Sequence, residues 1–591
     1  MKSFSLIPAL SRKQYLDTLL VLVNAELADS LCGVIDGIMV GRYLGADAMA
    51  AHGIAIPIFM IMNVFTYLIT MGFQQPCTVS IGRGELRKAN GMYSFTLILA
   101  LVFSGIFALS GLLSPRGIAR LMGAPSSGII TDMSADYLRA VFMGVPSLFF
   151  FVVLIPVLQI DGCRRLVHIG SLVMAVSDIA FDLLNIKVLG WGMFGMGLAT
   201  SVSYSLGLLV LLVYFFRKQS FFHFRLRDIP LSDIRHMFLM GLPATVWVGS
   251  WALASVLINV LVMRKFGATA MTALAVRENL YSIPLAVAIG LSGTTLLLTG
   301  ISFGERDRRG LMDVVRMSAK YSILLMGGLG VVIYAFAPLL VTLYLEPSAE
   351  AFPLAVKAIR YLAVAMPLVA WVRCVGSYLQ GIEEINRSMV VFVVEELVVL
   401  LPCAWLMGSL WGIGGVFAAF PVSQLLAILL LNLQVFLHRD RRFKGMEAYL
   451  CVPADFGVLP QDRIVRNLTS REEVWALAAE AMDFCLDHGL SRGKAYMCSL
   501  YIEEMGNIIM IYGFADNKPH NLEIHLSIDQ EKVILRFRDD CHRFDILEKA
   551  GHWEEDPEHP ETSLGVRLIT SACKTLRYDN SLSTNNLMVL L

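Results

Sequence analysis

The chain has 591 residues, of which 56% are hydrophobic and only 16% charged, and its mean hydropathy is +0.65. Ordinary soluble domains carry about 25% charged residues, so the composition excludes a string of such domains and indicates a membrane protein. The 48 basic and 48 acidic residues balance, which argues against nucleic acid as a partner. The ten cysteines form no C-x-x-C pair, so neither a zinc site nor a disulfide framework is predicted.

The predicted elements begin with membrane-spanning helices. A helix that crosses a bilayer needs about 20 mostly apolar residues, and twelve such segments follow one another between about residue 15 and residue 437. The first is not followed by a small-residue cleavage site and is therefore predicted as a span. Basic residues concentrate at the N-terminus and in alternate loops, for example Arg12, Arg83 and Arg308. The positive-inside rule then places both termini in the cytoplasm, and we expect a bacterial inner (plasma) membrane.

An internal repeat divides these spans into two sets of six. A single constant offset superposes GRYLGADAMAA (41–51) on MRKFGATAMTA (263–273), and the same offset places Gly82 on Gly304. The sequence predicts an N-terminal six-span half, residues 1–220, and a C-terminal six-span half, residues 221–440. Transporters built from two parallel repeats bind substrate between the halves and rock the halves against each other.

Three segments carry a resemblance to a known family. Residues 33–51, the loop SIGRGELRKA (80–89) and residues 160–203 resemble the multidrug and toxic compound extrusion (MATE) transporters. The resemblance implies an all-α polytopic membrane protein with twelve spans in two six-helix repeats. It also implies a secondary active antiporter, not an enzyme, that expels organic and often cationic compounds in exchange for H⁺ or Na⁺. Its partners would be the lipid bilayer and a small organic substrate.

Acidic residues inside the predicted spans are the candidate ion-coupling groups, because a carboxylate at the bilayer centre costs about 2.5 to 3.5 kcal/mol. Glu26, Asp29 and Asp36 share one face of the first span. Asp178 and Asp182 are four residues apart, hence on one helix face, and two neighbouring carboxylates favour holding a proton. The resemblance implies that Asp36 helps to handle the coupling ion. We predict Asp36, Asp178 and Asp182 as the ion-coupling residues; an alternative is that these acids cap loop ends or line a water-filled vestibule.

Two departures from the MATE pattern concern the same half. Relatives often have Asn where this chain has Asp178, which leaves the choice between H⁺ and Na⁺ open. Val21 stands where the repeat has Pro243, and proline is the usual cause of a sharp helix kink. We therefore do not expect the first helix to bend at this position.

The second half offers a further pair of acids. Glu278 and Glu395 are candidates for a second cation site. Arg277 and Arg373 lie in the neighbouring sequence and span, so internal ion pairs are an equally good interpretation. Both interpretations stay open at the level of sequence.

The chain becomes polar after about residue 445, which predicts a cytoplasmic domain over residues 445–591. SREEVWALAAEAMDFCLDHG and residues 494–513 are typical of helices, NLEIHLSID and EKVILRFRDD of two strands, and RYDN and NNLMVLL of two more. This order resembles the ATP-binding α/β sandwich of histidine kinases and anti-sigma-factor kinases. The resemblance implies ATP with Mg²⁺ as a ligand.

The residues matching that motif are Glu503 and Asn507 on one helix, Asp539 at a strand end, and Gly565 at a predicted helix start near Leu564. The family's Asp-x-Gly is replaced by Asp539-Asp540-Cys541, where a Cβ would crowd a nucleotide. The domain is interpreted as a weak nucleotide sensor or as a docking module for a cytoplasmic protein partner, and kinase activity is not expected.

Three functions are thus considered. The leading prediction is an efflux antiporter with a cytoplasmic ATPase-like regulatory domain. The first alternative is a lipid-linked oligosaccharide flippase, which needs a strongly basic central cavity. The second is a transporter-like sensor that controls an anti-sigma-type kinase domain.

Overall fold

The computed structural model describes residues 8–122, 124, 127–216, 222–438, 447, 450–453, 456–458, 460–514, 520–529, 532–541, 575–581 and 584–591. In these ranges, ten helical stretches are long and apolar enough to cross a membrane. The chain is therefore an integral, multi-pass membrane protein with a small α/β region at its C-terminal end.

The first half of the membrane part is built from long helices joined by short turns. Its helices are α1 (Ala9–Met39), α2 (Ala46–Gly82), α3 (Leu86–Leu113), the short α4 (Pro115–Leu121), α5 (Ile129–Ile160), α6 (Arg164–Leu184) and α7 (Gly192–Leu212). One-turn π-helices, Val40–Leu44 and Asn185–Leu189, extend α1 and α6. α1 carries no proline and is unbroken, in agreement with the expectation from Val21.

The second half repeats this plan. Its helices are α8 (Ile234–Gly304), α9 (Arg308–Tyr321), α10 (Gly327–Thr342), α11 (Phe352–Gly381), α12 (Ile385–Val393) and α13 (Leu400–His438). α8 breaks at Gly267 and α13 breaks at Trp411 and Gly412, so each contains two helices. The π-helical turns Ser322–Met326 and Val394–Val398 join α9 to α10 and α12 to α13.

The predicted number of twelve spans is not reached by length and apolarity alone. The predicted eleventh and twelfth spans form one broken stretch, Ile385–Val435, among the ten. α6, the predicted fifth span, is not among them, and this is the helix that carries Asp178 and Asp182. Twelve crossings therefore remain a prediction.

The backbone turns repeat at the spacing found in the sequence. Left-handed residues occur at Gly45 and again at Gly267, at Gly84 and Arg306, at Gly162 and Glu383, and at Gly190 and Gly412. Three of these pairs are separated by the same offset as the sequence repeat, and the pair Gly162 and Glu383 departs from it by a single position. Each half thus changes direction at equivalent corners.

The two halves pack closely at the end of the bundle that carries the C-terminal region, here called the tail side. A Cβ added to Gly82 at the end of α2 would lie 2.5 Å from the carbonyl oxygen of Ile301 on α8. A Cβ on Gly304 would meet the backbone of Val79, and one on Gly72 would lie 2.6 Å from the carbonyl oxygen of Met237. Only glycine permits this backbone approach, so these residues close the tail side.

The C-terminal region, here called the tail, begins after α13 and contains a two-layer α/β sandwich. Its strands are β1 (Arg463–Leu468), β2 (Leu522–Asp529), β3 (Lys532–Asp539), β4 (Thr575–Ser581) and β5 (Thr584–Leu590), and its helices are α14 (Arg471–Asp487) and α15 (Arg492–Ile508). The sheet is antiparallel throughout, in the order β1-β2-β3-β5-β4. Alternate strand residues such as Ile524, Leu535 and Val589 pack against α14 and α15.

The predicted tail elements agree with these bounds. Ser470 caps α14, because its Oγ accepts a hydrogen bond from the Glu473 amide at 3.4 Å. Gly565, the helix predicted near Leu564 and the basic cluster from Arg439 to Lys444 lie outside the described residues.

Candidate functional site

Three carboxylates meet inside the first half. Asp36 comes from α1, and Asp178 and Asp182 lie one turn apart on α6. Side-chain oxygens of all three lie within 4.8 Å of one another. The three residues are buried, Asp36 being 9% exposed and the other two 1%. The structure thus brings the three predicted ion-coupling residues into one group, here called the acid cluster.

The neighbouring helices hold α6 in place beside this cluster. The α-helix changes to a π-turn at Asn185, whose Nδ2 donates to the carbonyl oxygen of Gly192 at 2.9 Å and whose Oδ1 accepts from the Trp191 amide at 3.0 Å. Gly195 lacks the Cβ that would collide with the Asn185 side chain. Asn185 therefore fixes the α6–α7 corner. π-turns of this kind often occur at functional sites.

Most oxygens of the acid cluster lack a hydrogen-bond donor. Ser203 on α7 donates to Asp178 Oδ1 at 2.9 Å. Asp36 Oδ1, Asp178 Oδ2 and both oxygens of Asp182 have no partner among the described residues. Buried polar atoms are normally satisfied, so four open carboxylate oxygens call for a proton or a cation. Hard cations take oxygen ligands, and a carboxylate pair can also share a proton, so the arrangement can hold either a proton or a metal cation.

The other two acids of α1 do not join the cluster. Asp29 is exposed and accepts a hydrogen bond from the hydroxyl of Tyr204, and Glu26 is half-buried. The acidic stripe predicted on the first span is present along the helix, but only its Asp36 end meets α6.

The acids of the second half pair with arginines. Glu278 forms an ion pair with Arg277. Arg373 lies 3.7 Å from Glu395 and 2.9 Å from Glu396, measured from Nε to Oε1 and from Nη2 to Oε1. These contacts correspond to the internal ion pairs that were the alternative to a second cation site.

Glu396 is a residue whose role the sequence did not reveal. Its Oε1 accepts from Trp247 Nε1 at 3.1 Å as well as from Arg373. The Arg373 guanidinium stacks 4.2 Å from the centroid of the Trp247 ring. Glu395 and Glu396 lie in the π-turn Val394–Val398. A hydropathy pattern does not reveal a π-turn, so the role of Glu396 had no signal in the sequence.

A cavity of about 70 Å³ adjoins these pairs. Its lining includes Arg277, Glu278, Glu395, Glu396 and Trp251. Because each arginine faces at least one carboxylate, the cavity is not the strongly basic chamber that a flippase for lipid-linked sugars needs. At the offset of the internal repeat, moreover, Asp36 and Asp182 are matched by Ile258 and Ala404, so the acid cluster is not repeated here.

Comparison with known families identifies this architecture. The MatE family model matches the chain twice, at residues 23–184 and 243–406, which together make up more than half of its length. The chain belongs to the MatE family. The predicted resemblance to MATE transporters is thereby confirmed, and the two matched segments begin at corresponding points of α1 and α8. Both end before the tail.

Relatives of this MatE protein have low sequence identity but match it over most of their own length. It is 24% identical over 338 residues to the probable multidrug resistance protein YoeA of Bacillus subtilis, covering 55% of this chain and 72% of the relative. It is 22% identical over 421 residues to the multidrug export protein MepA of Staphylococcus saprophyticus, and the match covers 70% of this chain and 91% of the relative. A solved structure described as the outward-facing conformation of a multidrug resistance MATE family transporter superposes with a TM-score of 0.66 at 21% identity. The superposition covers 72% of this chain and 95% of that structure's chain.

The described residues of the predicted nucleotide site do not fit Mg²⁺. Glu503 and Asn507 lie one turn apart on α15, as predicted. Asn507 Oδ1, the predicted Mg²⁺ ligand, instead accepts a hydrogen bond from Arg471 Nε at 3.3 Å. A guanidinium at this oxygen repels a divalent cation.

Asp539, which the resemblance to histidine-kinase ATPases assigns to contacting adenine, is also engaged within the tail. Asp539 is 4% exposed, and its Oδ1 accepts from Asn585 Nδ2 at 2.7 Å and from the Cys541 amide at 3.1 Å. A carboxylate used in this way ties β3 to β5. In the described part of the tail, Asn507 and Asp539 are thus engaged in contacts within the tail. ATP has no role in the function proposed below.

The tail contacts both halves on the tail side. Lys13 of α1 pairs with Asp540 at 2.7 Å, from Nζ to Oδ2. Glu305, which follows α8, accepts from Arg536 at 3.0 Å and from Arg538, both on β3. The polar face of the sheet therefore rests on the loop after α8 while the end of β3 reaches the first half.

Further contacts fix the same docking. Arg463 of β1 pairs with Asp307 at 3.1 Å, and the rings of Phe303 and Phe456 stack with centroids 5.2 Å apart. Burial alone would raise the pKa of Asp307, but the nearby positive charges of His525, Arg538 and Arg463 lower this pKa to about 2. At this contact, arginines of the tail thus face the carboxylates Glu305 and Asp307 of the loop.

Proposed function

We propose that this MatE protein is a secondary active antiporter that exports organic, typically cationic, compounds in exchange for H⁺ or Na⁺. The observation that carries the proposal is the acid cluster, in which Asp36, Asp178 and Asp182 meet with most of their oxygens unpartnered among the described residues. The printed names of YoeA and MepA, which refer to multidrug resistance and export, support the substrate class.

Coupling would follow from the charge of the cluster. Carboxylates with oxygens within 4.8 Å of one another repel strongly in a buried site unless a cation neutralises them. Uptake of H⁺ or Na⁺ removes this repulsion and lets α1 draw toward α6. Since α1 also packs on α8 of the second half, for example through Val23 against Gly290, a shift of α1 changes the contact between the halves.

The direction of transport rests on which end is closed. The halves pack tightly at the tail side through Gly72, Gly82 and Gly304. We place the tail in the cytoplasm by the positive-inside rule. The structure then corresponds to an outward-open state, in which H⁺ or Na⁺ enters the acid cluster from outside and exported compound leaves.

We further propose that the tail regulates this cycle. To open the cytoplasmic side, the ends of α2 and α8 must separate. The tail is attached to α1 through Lys13 and to the loop after α8 through Glu305, so separation must break one of these contacts. The tail therefore stabilises the outward-open state without any need for nucleotide.

The test is export of a fluorescent organic cation by the full-length protein in proteoliposomes, driven by a H⁺ gradient or by a Na⁺ gradient. Asp36→Asn, Asp178→Asn and Asp182→Asn should each reduce gradient-driven export at least tenfold while thermal unfolding stays cooperative. Asp132→Asn is the matched control, because Asp132 on α5 forms an exposed pair with Arg116. Export that persists in Asp36→Asn and Asp182→Asn would refute the assignment. The gradient that supports export identifies the ion.

A further inference from the structure

The junction between the tail and the membrane part encloses a cavity of about 290 Å³. Gly82 and Gly304, at the ends of α2 and α8, contribute one wall, and Ser527 and Met588 on the sheet contribute the opposite wall. Ligand pockets range upward from about 300 Å³, so the space is large enough for a small molecule or a lipid headgroup. This cavity lies far from the acid cluster and has no role in the proposed transport chemistry.

Arginine dominates the charged lining. The basic residues are Arg83, Arg306, Arg463, Arg536, Arg538 and His525. The carboxylates in the lining are Glu305 and Asp307. Two further carboxylates lie beside the lining, Glu383 at 3.9 Å from Arg83 and Glu523 at 2.7 Å from His525. Even with both added, five guanidinium groups face four carboxylates among the described residues.

The arginines of the sheet are held in place and largely removed from water. The side chains of Arg463, Arg536 and Arg538 are 15%, 18% and 19% exposed. Glu305 forms ion pairs with Arg536 and Arg538, and Asp307 forms one with Arg463. The negative charges of these two acids are therefore already matched before the charge of Arg306 is counted. The surplus positive charge of the lining therefore attracts an anion into this partly buried space.

The arginines also come from three separate elements. Arg83 follows α2 of the first half, Arg306 follows α8 of the second half, and Arg536 lies on β3 of the tail. The guanidinium group presents a planar fork of donors that matches phosphate oxygens. We propose that this cavity binds a phosphate-bearing anion, which bridges the two halves and the tail.

Two sources share this chemistry. A soluble phosphate compound reaches the cavity from the aqueous side. An anionic phospholipid headgroup reaches it from the membrane, because Arg83 and Arg306 directly follow long apolar helices. In either case the bound anion strengthens the docking of the tail. The proposal concerns binding alone and does not depend on whether the protein is an exporter.

The test uses the full-length protein in an uncharged detergent, titrated with inorganic pyrophosphate, and the same protein in nanodiscs of phosphatidylcholine with increasing phosphatidylglycerol. Hydrogen–deuterium exchange in β2 and β3 reports docking of the tail. We expect exchange to slow saturably in one of the two titrations and to recover as salt is added. Saturation with pyrophosphate identifies a soluble ligand, and saturation with phosphatidylglycerol alone identifies a headgroup.

The double variant Arg83→Gln/Arg306→Asn should weaken the binding at least tenfold. Both side chains are exposed, and Asn tolerates the left-handed backbone at residue 306, so the fold should persist. Arg536→Lys is a second variant that keeps the charge opposite Glu305 but loses the fork, and it should also weaken binding. Arg466→Gln is the matched control, because Arg466 on β1 forms an exposed pair with Glu480 away from the cavity. No saturable effect in either titration, or equal binding by all variants, would overturn the proposal.

Discussion

Lys13, near the start of α1, forms an ion pair with Asp540, at the end of β3, although 527 residues separate them in sequence. Lys13 is half-exposed whereas Asp540 is 4% exposed, so the carboxylate depends on this partner more than the ammonium group does. Burial raises the pKa of Asp540, but Lys13 and the amide of Asn521 bring this pKa below its ordinary value. The contact connects the first transmembrane helix directly to the tail.

Loosening the tail should speed the opening of the tail side. Lys13→Met and Glu305→Gln remove the contacts to the first and second half, and Glu305→Gln removes the carboxylate with which Arg536 and Arg538 pair. Loss of such a partly buried pair costs about 2 to 5 kcal/mol of docking free energy. Faster hydrogen exchange in β3 and a higher rate of gradient-driven export are expected. Glu346→Gln, in the exposed loop before α11, is the control and should change neither. Unchanged exchange in both variants would contradict the docking described above.

A side chain at Gly304 should prevent closure of the tail side. Its Cβ would collide with the backbone of Val79, which has no flexible atoms to move away. We expect Gly304→Ala to shift the protein toward a tail-open state, detected as a longer spin-label distance between the ends of α2 and α8. Gly53→Ala is the matched control, since a Cβ there meets nothing within 4 Å. A distance equal to that of the wild type would show that the close approach is not required.

The Arg373 cluster should matter for stability more than for ion coupling. Arg373→Met leaves Glu395 and Glu396 buried without a cation, and removal of one partner of a buried pair costs about 3 to 5 kcal/mol. Thermal unfolding in detergent should show this loss. Adding Glu395→Gln and Glu396→Gln should restore most of it, because no charge is then left unpaired. Arg387→Met, which breaks a more exposed pair with Glu384, is the control. Failure of the triple variant to recover would argue for a role beyond ion pairing.

The stability of the tail should depend on pH through Asp539. Burial raises the pKa of Asp539 to about 6, although hydrogen bonds from Asn585 and Cys541 oppose the rise. The folded tail therefore holds a proton between about pH 4 and pH 6 that the unfolded chain has lost, and the free energy of unfolding falls as pH rises through this window. A shift of about two pH units corresponds to about 3 kcal/mol.

The measurement is hydrogen exchange in β3 and β5 of the full-length protein, corrected for the pH dependence of chemical exchange. Protection should decrease from pH 4 to pH 6 and stay level above. Asp539→Asn keeps the acceptor oxygen but cannot titrate, so its profile should be flat. Asp487→Asn, at the exposed end of α14, should behave like the wild type. A wild-type profile without slope would mean that Asp539 is not the titrating group.

The sequence was most informative where the relevant contact is local or follows helical geometry. Asp178 and Asp182 are four residues apart, so a common face was predictable. The segment that begins with Ser470 was predicted as a helix, and Ser470 caps α14. The resemblance implied a role for Asp36 in handling the coupling ion, but its meeting with α6 was not predicted, because the position of one helix against another is not contained in either helix alone.

The remaining features depend on long-range packing. Trp247 and Glu396 are 149 residues apart, and nothing in either segment predicts their contact. The π-turns that place Glu395, Glu396 and Asn185 add a residue to a helical turn without any hydropathy signal. In the tail, Arg471 and Asn585 occupy the oxygens of Asn507 and Asp539 that the motif assigned to a ligand. A motif records residue types and spacing but does not show whether the side chains are already engaged.

The left-handed corners have a consequence for how the two halves differ. At the tail side the first half turns at Gly84 and Gly162, whereas the second half makes the equivalent turns with Arg306 and Glu383. Left-handed backbone costs a non-glycine residue of order 1 kcal/mol or more, so the second half accepts strain in order to present charge at these corners. The two halves thus share a backbone plan but differ in where they carry charge. The first half has within its helices a cluster of acids that form no ion pair among the described residues, and the second half has charged residues at the turns on the tail side.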